Sequence, residues 1–180
     1  MAVAKRRSID RRRREKTAME AAGHVRMLAE EIMNEDDAAN GIPDRRLALM
    51  FACAHPAVEA PARAPLILQT ILGFDAATIA AAFLVSPAAM GQRLARAKAK
   101  LRVSGIPFRV PETDELGERL DTVLEAIYAA YAEGWSDPAG ADPRRRELAD
   151  EAIWLGRLVV SLLPEAAEAL GLLALMLYLE

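Results

Sequence analysis

The chain has 180 residues, 53% of them hydrophobic, and a formal net charge of −3, so it can form one or two small domains with a buried core. No apolar run reaches the roughly 18–20 residues of a membrane span, no signal-peptide pattern follows the charged N-terminus, and the single cysteine excludes an internal disulfide. These features predict a cytoplasmic protein without a membrane partner. Because the apolar residues are mostly Ala and Leu, we predict an all-α fold.

The charges divide the chain into two parts. Residues 1–110 carry 18 Lys and Arg against 11 Asp and Glu, a net charge of +7, whereas residues 111–180 carry 5 against 15, a net charge of −10. The basic part is where a polyanion would bind. The acidic part would be repelled by DNA, so we expect it to serve as a scaffold or as a protein contact.

Residues 1–33 are predicted to form one helix, and its first half is crowded with arginines between Arg6 and Arg14. Two interpretations stay open for this segment. It is either a solvated basic tail or a helix that binds phosphates, since clustered arginines neutralise backbone charge and release counterions. The turn-forming run from Asn40 to Pro43 follows. We place a domain boundary there, so that residues 1–40 are a basic helix with its linker.

Two helices are predicted after this boundary. Asp44 caps a helix that ends at Cys53, and a second helix covers residues 61–72, with Gly73 as its C-terminal cap. Cys53 and His55 lie close in sequence, but zinc needs three or four ligands and no second Cys/His pair is within reach. We therefore predict a packed thiol and a structural histidine, with no metal site and no cofactor.

Residues 75–102 are predicted to form two helices joined by a tight turn. Asp75 caps the first helix, Leu84-Val85 interrupts the helical pattern, and Ser86 caps a second helix that begins with Pro87. The apolar residues of the second helix recur at i, i+4, i+7 and i+11, which places them on one narrow stripe. They are Met90, Leu94, Ala97 and Leu101.

The polar residues beside this stripe are neutral or basic. They are Gln92, Arg93, Arg96 and Lys100 on one flank, and Lys98 and Arg102 on the other. No acidic residue occurs between Asp75 and Glu112. A short helix, a tight turn and a second helix with a basic surface are typical of a DNA-binding helix-turn-helix. The alternative is a solvated surface helix, but the two caps, the short connection and the missing acids favour DNA binding.

The acidic half is predicted to be a helical extension. Its helices cover residues 112–132, 144–163 and 164–180. The predicted domains after the basic N-terminal segment are therefore a four-helix unit over residues 41–104 and the extension over residues 105–180. Neither of the two histidines lies in a catalytic motif, and no glycine-rich phosphate loop occurs, so we predict that the protein is not an enzyme.

Residues 75–102 resemble region 4.2 of sigma-70-type RNA polymerase sigma factors, most closely those of the extracytoplasmic-function group. The positions that match the pattern of that region are Ile79, Ala80, Val85, Arg93, Leu94, Arg96, Ala97, Lys98 and Leu101. Residues 44–56 resemble the start of region 4 in one subgroup, and residues 105–111 and 169–177 are similar to parts of its long C-terminal extension. Residues 7–14 look like the end of region 2.4, the helix for the −10 element.

This resemblance implies a sigma factor, or a sigma fragment, that directs the RNA polymerase core to promoter DNA in transcription initiation. The helix from Pro87 would enter the major groove of the −35 element. The residues nearest the bases would be Ser86, Ala88, Ala89, Gln92 and Arg93. Those better placed for phosphates would be Arg96, Lys98 and Lys100. An anti-sigma or other regulatory protein is a further candidate partner, and we expect the extension to bind it or to pack on the four-helix unit.

Two other classes of protein stay open: a helix-turn-helix repressor or activator that works without polymerase, and a helical protein-interaction module whose basic helix is incidental. The chain also departs from the sigma pattern. Most of region 2 is absent, which is expected of a fragment, a misplaced start or a protein that does not initiate by itself. Leu84 stands where the turn usually has glycine, and Gly91 stands at a common polar position, so the base preference at the −35 element stays open.

Overall fold

The computed structural model describes residues 42–103, 109–135 and 143–180, and every regular element in these ranges is helical. The all-α prediction is therefore confirmed over this part of the chain. The helices are α1 (Arg45–Cys53), α2 (Ala60–Thr70), α3 (Ala76–Ala82), α4 (Pro87–Val103), α5 (Leu116–Trp135), α6 (Pro143–Leu162) and α7 (Ala167–Leu179), with a 3₁₀ turn at Thr113–Glu115. The predicted basic helix over residues 1–33 and the boundary near Asn40 lie outside the described residues.

Three helices begin at side chains that accept hydrogen bonds from the free N–H groups of the first turn. Asp44 Oδ1 accepts from Leu47 N at 2.9 Å, and Ser86 Oγ accepts from Ala89 N at 3.2 Å. Asp75 Oδ1 accepts from the backbone N–H groups of residues 77 and 78. These bonds satisfy donors that have no partner inside the helix, so the three predicted N-caps are confirmed.

The ends of two predicted helices are corrected by the backbone. The second predicted helix ends at Thr70, two residues before Leu72, and Gly73 follows with a φ of +73°. The last helix begins at Ala167 and not at Pro164, because the chain first makes a turn in which Ala166 N donates to Leu163 O at 3.1 Å. A proline after α6 therefore marks the end of one helix and not the start of the next.

The buried side chains form one continuous cluster that crosses the predicted boundary at residues 104 and 105. Helix α2 lies at its centre and packs against α1, α3, α4 and α5. The largest fully buried side chains come from both sides of that boundary: Leu47, Met50, Phe51, Leu66, Ile67, Leu68, Ile79, Met90, Leu116, Ile127, Leu155 and Met176. The extension therefore packs on the four-helix unit, which was one of its two predicted roles.

Polar contacts add direction to this packing. Arg119 of α5 is only 3% exposed, and its Nη1 donates to Phe51 O of α1 at 3.2 Å while its Nη2 pairs with Glu115 at 2.7 Å. On the next helix, Glu151 pairs with Arg46, whose guanidinium also lies 5.2 Å from the centre of the Trp154 ring. These bonds fix α5 and α6 to the two ends of α1.

Helix α7 completes the extension by packing on α5 and α6. Tyr131 of α5 donates to Met176 O at 3.1 Å, which joins the C-terminal parts of the two helices. Several large apolar side chains of α7 remain exposed: Leu170, Leu175, Leu177, Tyr178 and Leu179. None of the helices described above is both long enough and apolar enough to cross a membrane.

Candidate nucleic-acid interface

Helices α3 and α4 are joined by a turn of four residues. Val85 N donates to Ala80 O at 2.9 Å and Leu84 N donates to Ala81 O at 3.2 Å, which is the hydrogen-bond pattern of a Schellman motif. Leu84 has a φ of +53°, in the left-handed region that favours glycine, and its side chain is 94% exposed. The turn closes α3 and lets Ser86 cap α4 at once.

Helix α4 has one buried and one exposed side. The predicted apolar stripe of Met90, Leu94, Ala97 and Leu101 is buried, and the helix packs on α2 and α3. The prediction of a one-sided helix is therefore confirmed. The exposed side begins with small residues, Ala88 and Ala89, and continues with Gln92, Arg96 and Lys100 at successive turns. We call Gln92, Arg96 and Lys100 the outer row of α4.

The outer row runs along one line of the helix, because residues four apart lie one above the other. Three positions at this spacing cover about 12 Å of the helix axis. No acidic residue lies on α4, and the acid that precedes it, Asp75, has its carboxylate bound by Thr78 and the first turn of α3. The surface therefore presents one amide and two cations to any polyanion that approaches.

The eight residues predicted to contact DNA do not all lie on this surface. Six of them are exposed: Ser86, Ala88, Ala89, Gln92, Arg96 and Lys100. Arg93 is half-buried, and its Nη1 donates to Pro61 O at the start of α2, at 3.2 Å. Lys98 is buried. The exposed six lie on one side of α4 and its cap, whereas Arg93 and Lys98 both reach α2.

Lys98 corrects the sequence-based assignment. It is 6% exposed, and its Nζ donates to Gln69 Oε1 at 2.6 Å inside the packed interface between α4 and α2. An ammonium in this position cannot reach a phosphate without leaving the interface, so Lys98 does not belong to the predicted phosphate contacts. The pKa of Lys98 is lowered, because the effect of burial is larger than the opposing electrostatic effect of the neighbouring Cys53.

A signal for this burial was present in the sequence. Lys98 lies four residues after Leu94 and eight after Met90, so it belongs to the same side of the helix as the apolar stripe. Basic residues on a flank of a stripe are ambiguous, because a long aliphatic stem can follow the core while its charge stays outside. The partner, Gln69, lies 29 residues away and could not be found from spacing.

The pair considered above for a metal site, Cys53 and His55, has other partners. Cys53 is fully buried, its Sγ lies 3.8 Å from Thr70 Oγ1, and burial raises the pKa of its thiol to about 12. The prediction of a packed thiol is therefore confirmed. His55 accepts a hydrogen bond at Nδ1 from Ala57 N at 3.1 Å, which is a structural role in the α1–α2 loop. Within the described ranges, no three His, Cys, Asp or Glu side chains are grouped as metal ligands.

Comparisons with known proteins relate the chain to relatives without an assigned activity. Residues 119–180 match a family of unknown function (DUF6596). Over 158 residues the chain is 40% identical to the uncharacterized protein R00370 of Rhizobium meliloti (strain 1021). That match covers 82% of this chain and 37% of R00370, so the chain spans little more than a third of the length of its relative. No solved structure matches the chain.

Proposed function

We propose that this chain is an RNA polymerase sigma factor, or a segment of one, that recognises the −35 element of promoters through α3 and α4. The observation that carries the proposal is the outer row of α4, which is exposed on the side opposite the apolar stripe. A helix in the major groove needs such a surface, with small residues at its start and polar groups behind them. The proposed setting is the cytoplasm, with the polymerase core and promoter DNA as partners.

In this proposal α3, the Schellman turn and α4 form the helix-turn-helix, and α4 is the recognition helix. Ser86, Ala88, Ala89 and Gln92 belong to its N-terminal part, which is the part that reaches base edges in this motif. Among these side chains the amide of Gln92 is the one that can bind a base with two hydrogen bonds, and its geometry suits adenine. The cations of the outer row, one and two turns further on, suit phosphates.

The placement of the acidic extension is compatible with this role. Helix α5 packs on α1 and α2, and α6 packs on α1, whereas α4 packs on α2 and α3. The negative charge of residues 111–180 therefore belongs to helices whose main contacts are elsewhere in the four-helix unit. A regulatory protein such as an anti-sigma factor is a further proposed partner, and the extension is the part of the chain with the charge and surface for a protein contact.

The proposal is tested by selection and co-elution with the full chain. Randomised duplexes are selected for binding at low salt, and the chain is then mixed with bacterial core RNA polymerase and passed over a size-exclusion column. We expect enrichment of one sequence and co-elution with the core. Absence of duplex binding at low salt contradicts the proposal and favours a helical protein-interaction module.

The same two measurements distinguish a sigma factor from the remaining class of protein, a helix-turn-helix repressor or activator. A repressor or activator with a helix-turn-helix also binds a defined sequence, but it does not need the polymerase core. Sequence-specific binding without co-elution, above all to a palindrome, would therefore favour that class over a sigma factor. The contrast is useful because the surface of α4 is common to both classes, and only the protein partner differs.

A further inference from the structure

Two cationic side chains of α4 donate hydrogen bonds to α2. Arg93 Nη1 donates to Pro61 O at the first turn of α2, at 3.2 Å. Lys98 Nζ donates to Gln69 Oε1 near the last turn of α2, at 2.6 Å. The two donors are five residues apart on α4 and their acceptors are eight residues apart on α2. The two contacts therefore hold α4 at two separate points along its neighbour.

The bond from Lys98 is not needed to fill the interface. An apolar side chain of similar length, such as methionine, would pack against the same neighbours without the penalty of burying a cation. Among the residues described, no carboxylate pairs with Lys98, and its Nζ donates to the amide oxygen of Gln69. A buried polar pair of this kind restricts the position of the helix, because a hydrogen bond forms only within a narrow range of distances and angles.

The apolar stripe alone leaves the position of α4 loosely defined. Apolar contacts are not directional, and the stripe has three large side chains, Met90, Leu94 and Leu101, with the small Ala97 between the last two. A helix held only by such contacts can rotate about its axis or slide along its groove. A small rotation would turn the outer row away from the direction in which it now points.

We infer that Lys98 is a positioning residue, which acts through Gln69 and together with the Arg93–Pro61 contact to fix the rotation of α4 on α2. It thereby holds the outer row in one orientation without touching DNA. This inference rests on the proposed function for its consequence, the binding of a duplex, but its structural content is independent of DNA. It reverses the role that the basic pattern of the sequence predicted for Lys98.

The test compares Lys98→Met, Gln69→Met and the double variant with Arg96→Ala, in the full chain. Duplex affinity is measured over a range of salt concentrations, with the selected duplex as the probe. A positioning role predicts that Lys98→Met and Gln69→Met weaken binding by the same factor at every salt concentration, and that the double variant is no weaker than either. Arg96→Ala, which removes an exposed cation, lowers the salt slope by about one unit.

A second readout follows the position of α4 without DNA. Spin labels are attached to exposed sites on the two helices, in Ala60→Cys and Ala99→Cys, and the distance distribution between them is recorded. The native Cys53 does not react, because it is fully buried and its pKa is raised to about 12. We expect a shifted or broadened distribution in Lys98→Met and in Gln69→Met, and the parental distribution in Arg96→Ala.

Two results overturn the inference. The first is a Lys98→Met variant whose salt slope falls by about one unit while Gln69→Met binds like the parent, which is the behaviour of a phosphate contact. The second is an unchanged label distance in both variants. If the parent protein fails to bind any duplex at low salt, the proposed function fails, and the label distance alone still decides whether Lys98 positions α4.

Discussion

Leu84 holds a backbone conformation that its side chain makes unfavourable. At a φ of +53° a residue with a Cβ atom is strained by roughly 1–2 kcal/mol. Because the Leu84 side chain is 94% exposed, its packing offsets little of this strain. The Schellman pattern around Leu84 nevertheless closes α3, so the conformation is imposed by the turn between α3 and α4. Leu84 therefore occupies the position of the Schellman motif at which glycine is usual.

We predict that Leu84→Gly raises the free energy of unfolding by about 0.5–1 kcal/mol, because glycine removes the strain but loses more backbone entropy on folding. Urea unfolding followed by circular dichroism measures the change. Leu84→Ala is the matched control and should bring no gain, since alanine is strained in the same conformation. A destabilised Leu84→Gly variant would show that the leucine side chain makes a favourable contact.

His55 makes the stability of the fold depend on pH. Its Nδ1 accepts from Ala57 N, and burial, followed by the nearby Arg119, lowers the pKa of the imidazole. The folded pKa lies below the unfolded value of about 6.5, so the unfolded chain binds the proton more tightly. The contribution of the neutral ring is complete above the unfolded pKa and is lost as the pH falls through the folded pKa.

The resulting prediction is a free energy of unfolding that decreases as the pH falls below about 6.5. Equilibrium unfolding from pH 8 to pH 5 measures it. In His55→Asn the side-chain oxygen can still accept from the N–H two residues on, but it does not titrate, so this part of the pH dependence should disappear. An identical pH profile in the variant would assign the effect to other groups.

Local signals in the sequence predicted single residues well, and distant partners were not predicted. Asp44, Asp75 and Ser86 act on N–H groups two or three residues away, so a short window contains the whole interaction. The burial of Lys98 depends on Gln69, in another helix. Spacing along α4 could indicate that Lys98 lies beside the stripe. It could not indicate that the side-chain amide of another helix accepts a hydrogen bond from Lys98.

In the proposed role of α4, the residue expected to read the DNA sequence differs from those expected only to bind the DNA backbone. Gln92 follows the small residues at the start of the helix, whereas Arg96 lies one turn further on. An amide that binds a base edge distinguishes sequences, and a cation that binds a phosphate does not. Within one exposed row, two neighbouring positions are therefore expected to have different effects on binding.

We predict that Gln92→Ala changes the order of preference among duplexes more than it changes the mean affinity. A panel in which each base pair of the selected site is replaced in turn measures this, and loss of the contact should reduce discrimination at one position by about 1–3 kcal/mol. Arg96→Ala is the contrast, since it should weaken all duplexes alike. Uniform weakening by Gln92→Ala would contradict the assignment of a base contact.

One buried guanidinium adds hydrogen bonds to the apolar contact between α1 and α5. Arg119 donates to Phe51 O and to Glu115, and it is 3% exposed. We predict that Arg119→Met lowers the free energy of unfolding by about 1–3 kcal/mol, because Phe51 O loses its side-chain donor in a buried place. Arg157→Met, an exposed arginine of α6, is the control and should change little. Equal stability of the two variants would contradict this account.

The limits of the helices were predicted less well than their existence. The periodic stripe of α4 fixed the helix and its buried side, since a 3.6-residue repeat is a property of the segment alone. The start of α7 was placed three residues too early, because Pro164 fits both the first turn of a helix and the turn after one. Only the packing of α7 against α5 and α6 decides between them.

At the scale of the whole molecule, charge and packing divide the chain differently. The charges change sign near residue 110, and the sequence analysis predicts separate domains over residues 41–104 and 105–180. The buried cluster nevertheless continues from α1 and α2 into α5 and α6. Composition predicts the sign of a surface, but an interface depends on which apolar sides meet, and that information lies in pairs of residues far apart in the chain.

The central claim is that the outer row of α4 binds the DNA backbone and bases. It is tested most directly by the slope of log affinity against log salt concentration, in the parent chain, Arg96→Ala and Arg157→Ala. Both variants lose one exposed positive charge, so any effect of net charge is shared. We predict that the salt dependence becomes weaker in Arg96→Ala alone, with the magnitude of the negative slope reduced by about one unit. Equal slopes in all three proteins would contradict the account, because no counterion release would then depend on α4.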